Sequence, residues 1–215
     1  KVENLTIPIT VLRCDLSRKS HQEFLFTIFH RLNTGGMKLN NQEIRNCIYG
    51  GALNSRLKEL DTFLKWRQLN RMQKGKNYRF TKQELILRFF SFHDQLEMYD
   101  GHLARFLNAY MSAHRDPDDE FLLQKDRLFR ATVVAIYDRA LGGKAPRKLS
   151  TTFLEALLVG VGRNISSTSL AKDLCESYRN LQEHEEFGDS ALSEGLSKKP
   201  RVISRLQAAV EMFSE

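Results

Sequence analysis

Seven basic side chains stand between Lys65 and Lys82, namely Lys65, Arg67, Arg71, Lys74, Lys76, Arg79 and Lys82, and no acid interrupts them. The formal net charge of the chain is +7, so the remainder is balanced and the whole excess sits in this run. Cations at this density suit neutralisation of backbone phosphates, and Trp66, Tyr78 and Phe80 suit stacking on unpaired bases. DNA is the partner this segment points to, as a non-enzymatic nucleic-acid-binding module would use it. The plainer alternative is a solvated loop between two helices, its ends anchored in the core by Trp66 and Phe80.

A second segment has spacing that suits an anion. Arg31-Leu32-Asn33-Thr34-Gly35-Gly36 closes one helical pattern, and Asn40 with Glu43 opens the next. A glycine junction followed at once by a helix N-terminus aims several backbone amides at one spot. Arg31, Lys38 and Arg45 add charged donors there. The plainer alternative is a glycine C-cap followed by an asparagine N-cap.

Other chemical motifs fall away on their context. His114-Arg115-Asp116 spells the kinase catalytic triplet but lacks the downstream metal-binding Asn, the DFG and the glycine loop. Gly160-Val161-Gly162 and Gly142-Gly143-Lys144 lack the rest of a phosphate loop and read as turns. His184-Glu185-Glu186 has no second histidine four residues on. Cys14, Cys47 and Cys175 are odd in number and widely spaced, with no metal-binding pair, and fit reduced thiols in a cytoplasmic protein. No metal site is expected.

The elements that must position these side chains are helical. Four prolines and twelve glycines in 215 residues are too few for the turns of an all-β chain. Capping signals recur at Ser20/Glu23, Asn40/Glu43, Thr81/Glu84 and Thr152/Glu155, and Asp100 caps a further helix. Asp116-Pro117-Asp118-Asp119-Glu120 starts a long helix that runs to Leu141, where Gly142 and Gly143 stop it and a basic linker, Lys144 to Lys148, follows. Apolar stripes such as Leu57, Leu60, Phe63 and Leu64, or Ile203, Leu206, Val210 and Phe213, mark further helices. Gly188 to Lys199 reads as a mobile loop. The expected fold is mainly α, a compact orthogonal assembly of about eight helices over residues 17–215, with one short strand in residues 1–16. That strand, centred on Leu5 to Leu12, needs partners and reads as the remnant of an upstream sheet domain. No run of eighteen apolar residues is present to cross a membrane.

Phe29-x-x-x-Asn33-x-x-Gly36, continuing through Leu39-Asn40 to Glu43-Ile44-Arg45-Asn46 and Tyr49-x-Gly51, resembles the signature of the GmrSD restriction-system N-terminal domain family, of ParB/sulfiredoxin-like type. The resemblance covers residues 24–51. It implies a neighbouring sheet domain whose Asp-Gly-Gln-Gln-Arg motif joins the Phe-x-x-x-Asn segment in binding and hydrolysing a nucleoside triphosphate with Mg, linked to DNA sensing in phage defence. It further implies that Asn33 is catalytic, and that Arg31, Asn33, Gly35, Gly36 and Arg45 lie nearest the nucleotide. The chain departs from the family pattern in having no Asp-Gly-Gln-Gln-Arg, the nearest string being Asp100-Gly101-His102. The expectation is therefore a fragment that supplies half of a split site, with no cofactor of its own and no activity alone.

Overall fold

A computed structural model of the protein describes residues 9, 11–15, 18–32, 38–71, 79–147, 149–165, 170–188 and 196–214. The chain is mainly α. Among the described residues ten α-helices follow in order, α1 (Lys19–Leu32), α2 (Asn41–Ile48), α3 (Ala52–Leu60), α4 (Leu64–Leu69), α5 (Thr81–Gln95), α6 (Leu103–Ala113), α7 (Asp119–Val134), α8 (Thr151–Asn164), α9 (Leu174–Glu183) and α10 (Lys199–Met212). There are more than the eight or so expected, in part because the apolar stripe from Leu57 to Leu64 is broken at Asp61 to Phe63. Trp66 restarts a helix there by donating its indole N–H to Asp61 Oδ1 at 3.1 Å.

The strand expected near the N-terminus is not seen at its described positions. Ile9, Val11 and Leu12 are 81%, 76% and 42% exposed and belong to no ladder, and a strand without a partner leaves its backbone groups unpaired. Residues 1–8, 10 and 16 of that segment lie outside the described residues. The one β contact among the described residues is an isolated bridge between Leu170 and Ser214. Most of the loop expected at Gly188 to Lys199 also lies outside them.

The core forms around α8. Its residues from Phe153 to Gly162 are all buried, because α5, α7 and α10 surround it. Gly160 and Gly162 are therefore interior helix positions and not the turn that their spacing suggested. A β-carbon on Gly160 would lie 2.6 Å from the carbonyl oxygen of Ala209, and one on Gly162 would lie 2.5 Å from the Phe89 ring, so glycine lets α10 and α5 approach. Gly142 and Gly143 do form a turn, at φ +61 and +74, after α7 has relaxed into a π-helical stretch over Ala135–Ala140.

Two buried charge clusters tie the helices together. Arg45 of α2 pairs with Glu84 of α5, Arg88 also pairs with Glu84 at 2.7 Å, and Arg88 reaches Glu155 of α8 at 3.2 Å. Of the acids expected to complete capping boxes, Glu43 does so, while Glu84 and Glu155 turn into this cluster. Ser150 caps α8 instead, accepting from the Phe153 amide at 3.1 Å. The second cluster is Asp94, which takes bonds from Tyr110 on α6 and Lys125 on α7. The kinase-like triplet is structural. The Asp116 carboxylate accepts from the Ala52 amide at 3.0 Å, and Arg115 donates to the Gly50 carbonyl at 2.8 Å.

Candidate nucleic-acid interface

The basic run is divided by the fold. Lys65 pairs with Asp138 and sits 6.0 Å from the Tyr137 ring, both on the π-helical stretch. Arg67 donates to the Asp61 carbonyl at 3.0 Å. Arg79 donates to both carboxylate oxygens of Glu43, with Nε 3.0 Å from Oε1, and to the carbonyl of Lys38. Lys74 and Lys76, with Tyr78, lie outside the described residues. Trp66 is fully buried against Phe129, ring centroids 5.3 Å apart, so it anchors the run and is closed to a base.

Arg71 stands at one end of the run and Lys82 at the other. α4 ends at Leu69, Asn70 closes it, and Arg71 stands in the left-handed region at φ +49, where glycine is the usual occupant after a helix. Phe80, just before α5, takes the same conformation at φ +58. Arg71 and Lys82 line a cleft of about 450 Å³ with Arg147, at the N-terminus of α8. Among the described residues that line it there is no acid, and Leu69, Leu149 and Leu154 form its apolar wall. Beyond the Ser150 cap, the first amides of α8 have no partner inside the helix and present the positive end of its dipole to this cleft. Arg71 and Arg147 have no ion-pair partner among the described residues.

The junction between α1 and α2 is arranged differently. Asn33, Gly35 and Gly36 lie outside the described residues, and Arg31 is exposed on the last turn of α1. The N-terminus of α2 is closed by a reciprocal cap: Asn40 Oδ1 accepts from the Glu43 amide at 2.9 Å, and Glu43 Oε2 accepts from the Asn40 amide at 2.7 Å. Arg79 and that amide hold the Glu43 carboxyl below the usual range, so a negative charge of the protein already occupies this helix end. Arg45 is 1% exposed and faces inward, with Nε 2.9 Å from Gln42, Nη1 3.4 Å from Asn108 and Nη2 on Glu84. Burial lowers it to about 10, so it stays charged at neutral pH as a scaffold cation rather than a ligand for phosphate. Of the residues grouped at this junction by the family resemblance, the described ones are Arg31, which is exposed, and Arg45, which is buried.

Sequence reading missed Arg147 and the N-terminus of α8. Their signal was present in the basic linker Lys144 to Lys148 and the Ser150 cap that follows it, but the two basic segments are distant in the chain.

No family model matches the chain, and neither does any curated protein or solved structure. Among the described residues no helix is long and apolar enough to cross a membrane. No group of three or more metal-ligating side chains occurs among them, and the three cysteines are unpaired.

Proposed function

We propose that the chain is a helical module that binds nucleic acid through its phosphates, using the cleft between the ends of the basic run and the N-terminus of α8. The observation that carries this is the convergence of Arg71, Lys82 and Arg147 on one helix N-terminus with no acid among the described lining residues. Such a site attracts phosphate through charge and through donors already aimed. The test is DNA affinity measured across a salt series. Each phosphate neutralised contributes about −0.9 to the slope of log affinity against log salt. Reversing Arg71, Lys82 and Arg147 to Glu is expected to flatten that slope by about two to three phosphates' worth. An unchanged slope defeats the reading.

In the same reading the chain is the helical part of a GmrSD-type domain acting on DNA in bacterial defence, in a reducing, cytoplasmic setting. What supports the affiliation is the motif in residues 24–51, whose flanks fold as the two expected helices, α1 and α2. Triphosphate turnover with Mg belongs to this proposal only with a sheet segment carrying Asp-Gly-Gln-Gln-Arg as partner. Asn33→Ala in a protein that includes that segment tests it, and undiminished hydrolysis removes Asn33 from the role.

A further inference from the structure

The same cleft holds a polar group that phosphate binding does not use. Asn70 lines it, and both polar atoms of its carboxamide, Oδ1 and Nδ2, are buried with no hydrogen-bond partner among the described residues. Buried amides are nearly always paired, so an unpaired one on the wall of a basic cleft is a pointer to a ligand. A carboxamide offers a donor and an acceptor side by side. The complementary edge, also one donor beside one acceptor in a plane, is that of a nucleobase, and Asn against the N6/N7 edge of adenine is the standard pairing.

The other lining residues suit the rest of a nucleotide. Half-buried Leu149, backed by the buried Leu69 and Leu154, offers an apolar surface to the face of a base, and Arg71, Lys82 and Arg147 provide charge for its flanking phosphates. The volume of about 450 Å³ lies within the roughly 300–1,000 Å³ of small-ligand sites. We infer that this cleft admits one unstacked nucleotide of a single strand, with Asn70 reading the edge of its base while the three cations hold the backbone. A base inside a duplex cannot present its edge and face to such a cleft without leaving the stack, so single strands, ends and lesions are the substrates it favours. The inference rests on the proposed function of the cleft and adds a residue that would sense the base.

The experiment compares two single strands of about ten residues, an oligo-dA and an abasic strand with the same number of phosphates, by fluorescence anisotropy on the full chain. The expected result is that the unaltered protein prefers oligo-dA by about tenfold, and that Asn70→Ala or Asn70→Leu abolishes the preference while leaving abasic affinity and its salt slope unchanged. Because the amide is unpaired, neither substitution is expected to lower the melting temperature, and the two variants check each other for folding. Equal affinity of the unaltered protein for both strands, or a preference that survives in both variants, overturns the role of Asn70 and leaves phosphate binding standing. Failure to bind the abasic strand at all overturns the phosphate reading beneath it.

Discussion

Tyr110 donates its hydroxyl to Asp94 Oδ2 at 2.6 Å, which ties α6 to α5. The other oxygen, Oδ1, faces His93 Nδ1 at 2.8 Å and takes a bond from Lys125 on α7, with His114 nearby as a further titratable neighbour. Burial alone would raise the Asp94 carboxyl, but His93, Lys125 and Tyr110 together outweigh it and hold it at about 2, against an ordinary 3.8. The carboxylate thus joins three helices through its charge.

This pairing makes stability depend on acid. A carboxyl whose folded value is depressed contributes stability that is fully present above its unfolded value and lost as the pH falls through the folded one. Asp94→Asn is expected to cost about 2 kcal/mol near neutrality, and the gap to the unaltered protein is expected to close as the pH falls from about 4 to about 2. Urea unfolding as a function of pH measures it. A gap independent of pH means that the charge is not what Asp94 contributes.

Arg45 presents the opposite case, a cation fully enclosed by its partners. Arg45→Ala leaves Glu84, Gln42 and Asn108 facing the space it filled, and breaking a buried pair from one side costs about 3–5 kcal/mol. Nucleic-acid affinity of the folded fraction is expected to stay within about twofold, since its side chain does not line the basic cleft. Loss of affinity without loss of stability would return Arg45 to the binding site.

Arg71 is held in a backbone conformation that costs a non-glycine residue about 1 kcal/mol or more. Arg71→Gly removes that strain and also removes a cation of the cleft. Denaturant unfolding is expected to show unchanged or slightly raised stability, by up to about 1 kcal/mol, while affinity for DNA falls. If stability and affinity fall together, the left-handed arginine is there for folding.

Gly160→Ala improves helix propensity on paper and should be harmful here. The added carbon would meet the backbone of Ala209, which cannot move aside without shifting α10. The expected loss is about 1–3 kcal/mol, against a gain of roughly 1 kcal/mol at an open helix position. Thermal unfolding of the single variant decides between the two signs.

The helices were legible because their signals are local. The Asn40/Glu43 capping box and the stop at Gly142 and Gly143 follow from residues a few positions apart and appear in the structure where their spacing put them, while the long helix starts at Asp118, two residues after the Asp116-Pro117 signal. The charge of the run from Lys65 to Lys82 was likewise evident from composition.

Which cations of that run remain available was not legible, because that depends on partners far along the chain. Asp138 takes Lys65 from 73 residues away, and Glu43 takes Arg79 from 36. Glu84 and Glu155 carry the spacing of helix caps, yet they pair with Arg45 and Arg88 because packing of α2, α5 and α8 places those guanidiniums beside them. Only the tertiary structure brings Arg147 and the first turn of α8 against Asn70, Arg71 and Lys82. Periodicity and capping are properties of neighbouring residues; a binding cleft is a property of surfaces that meet only when the helices have packed.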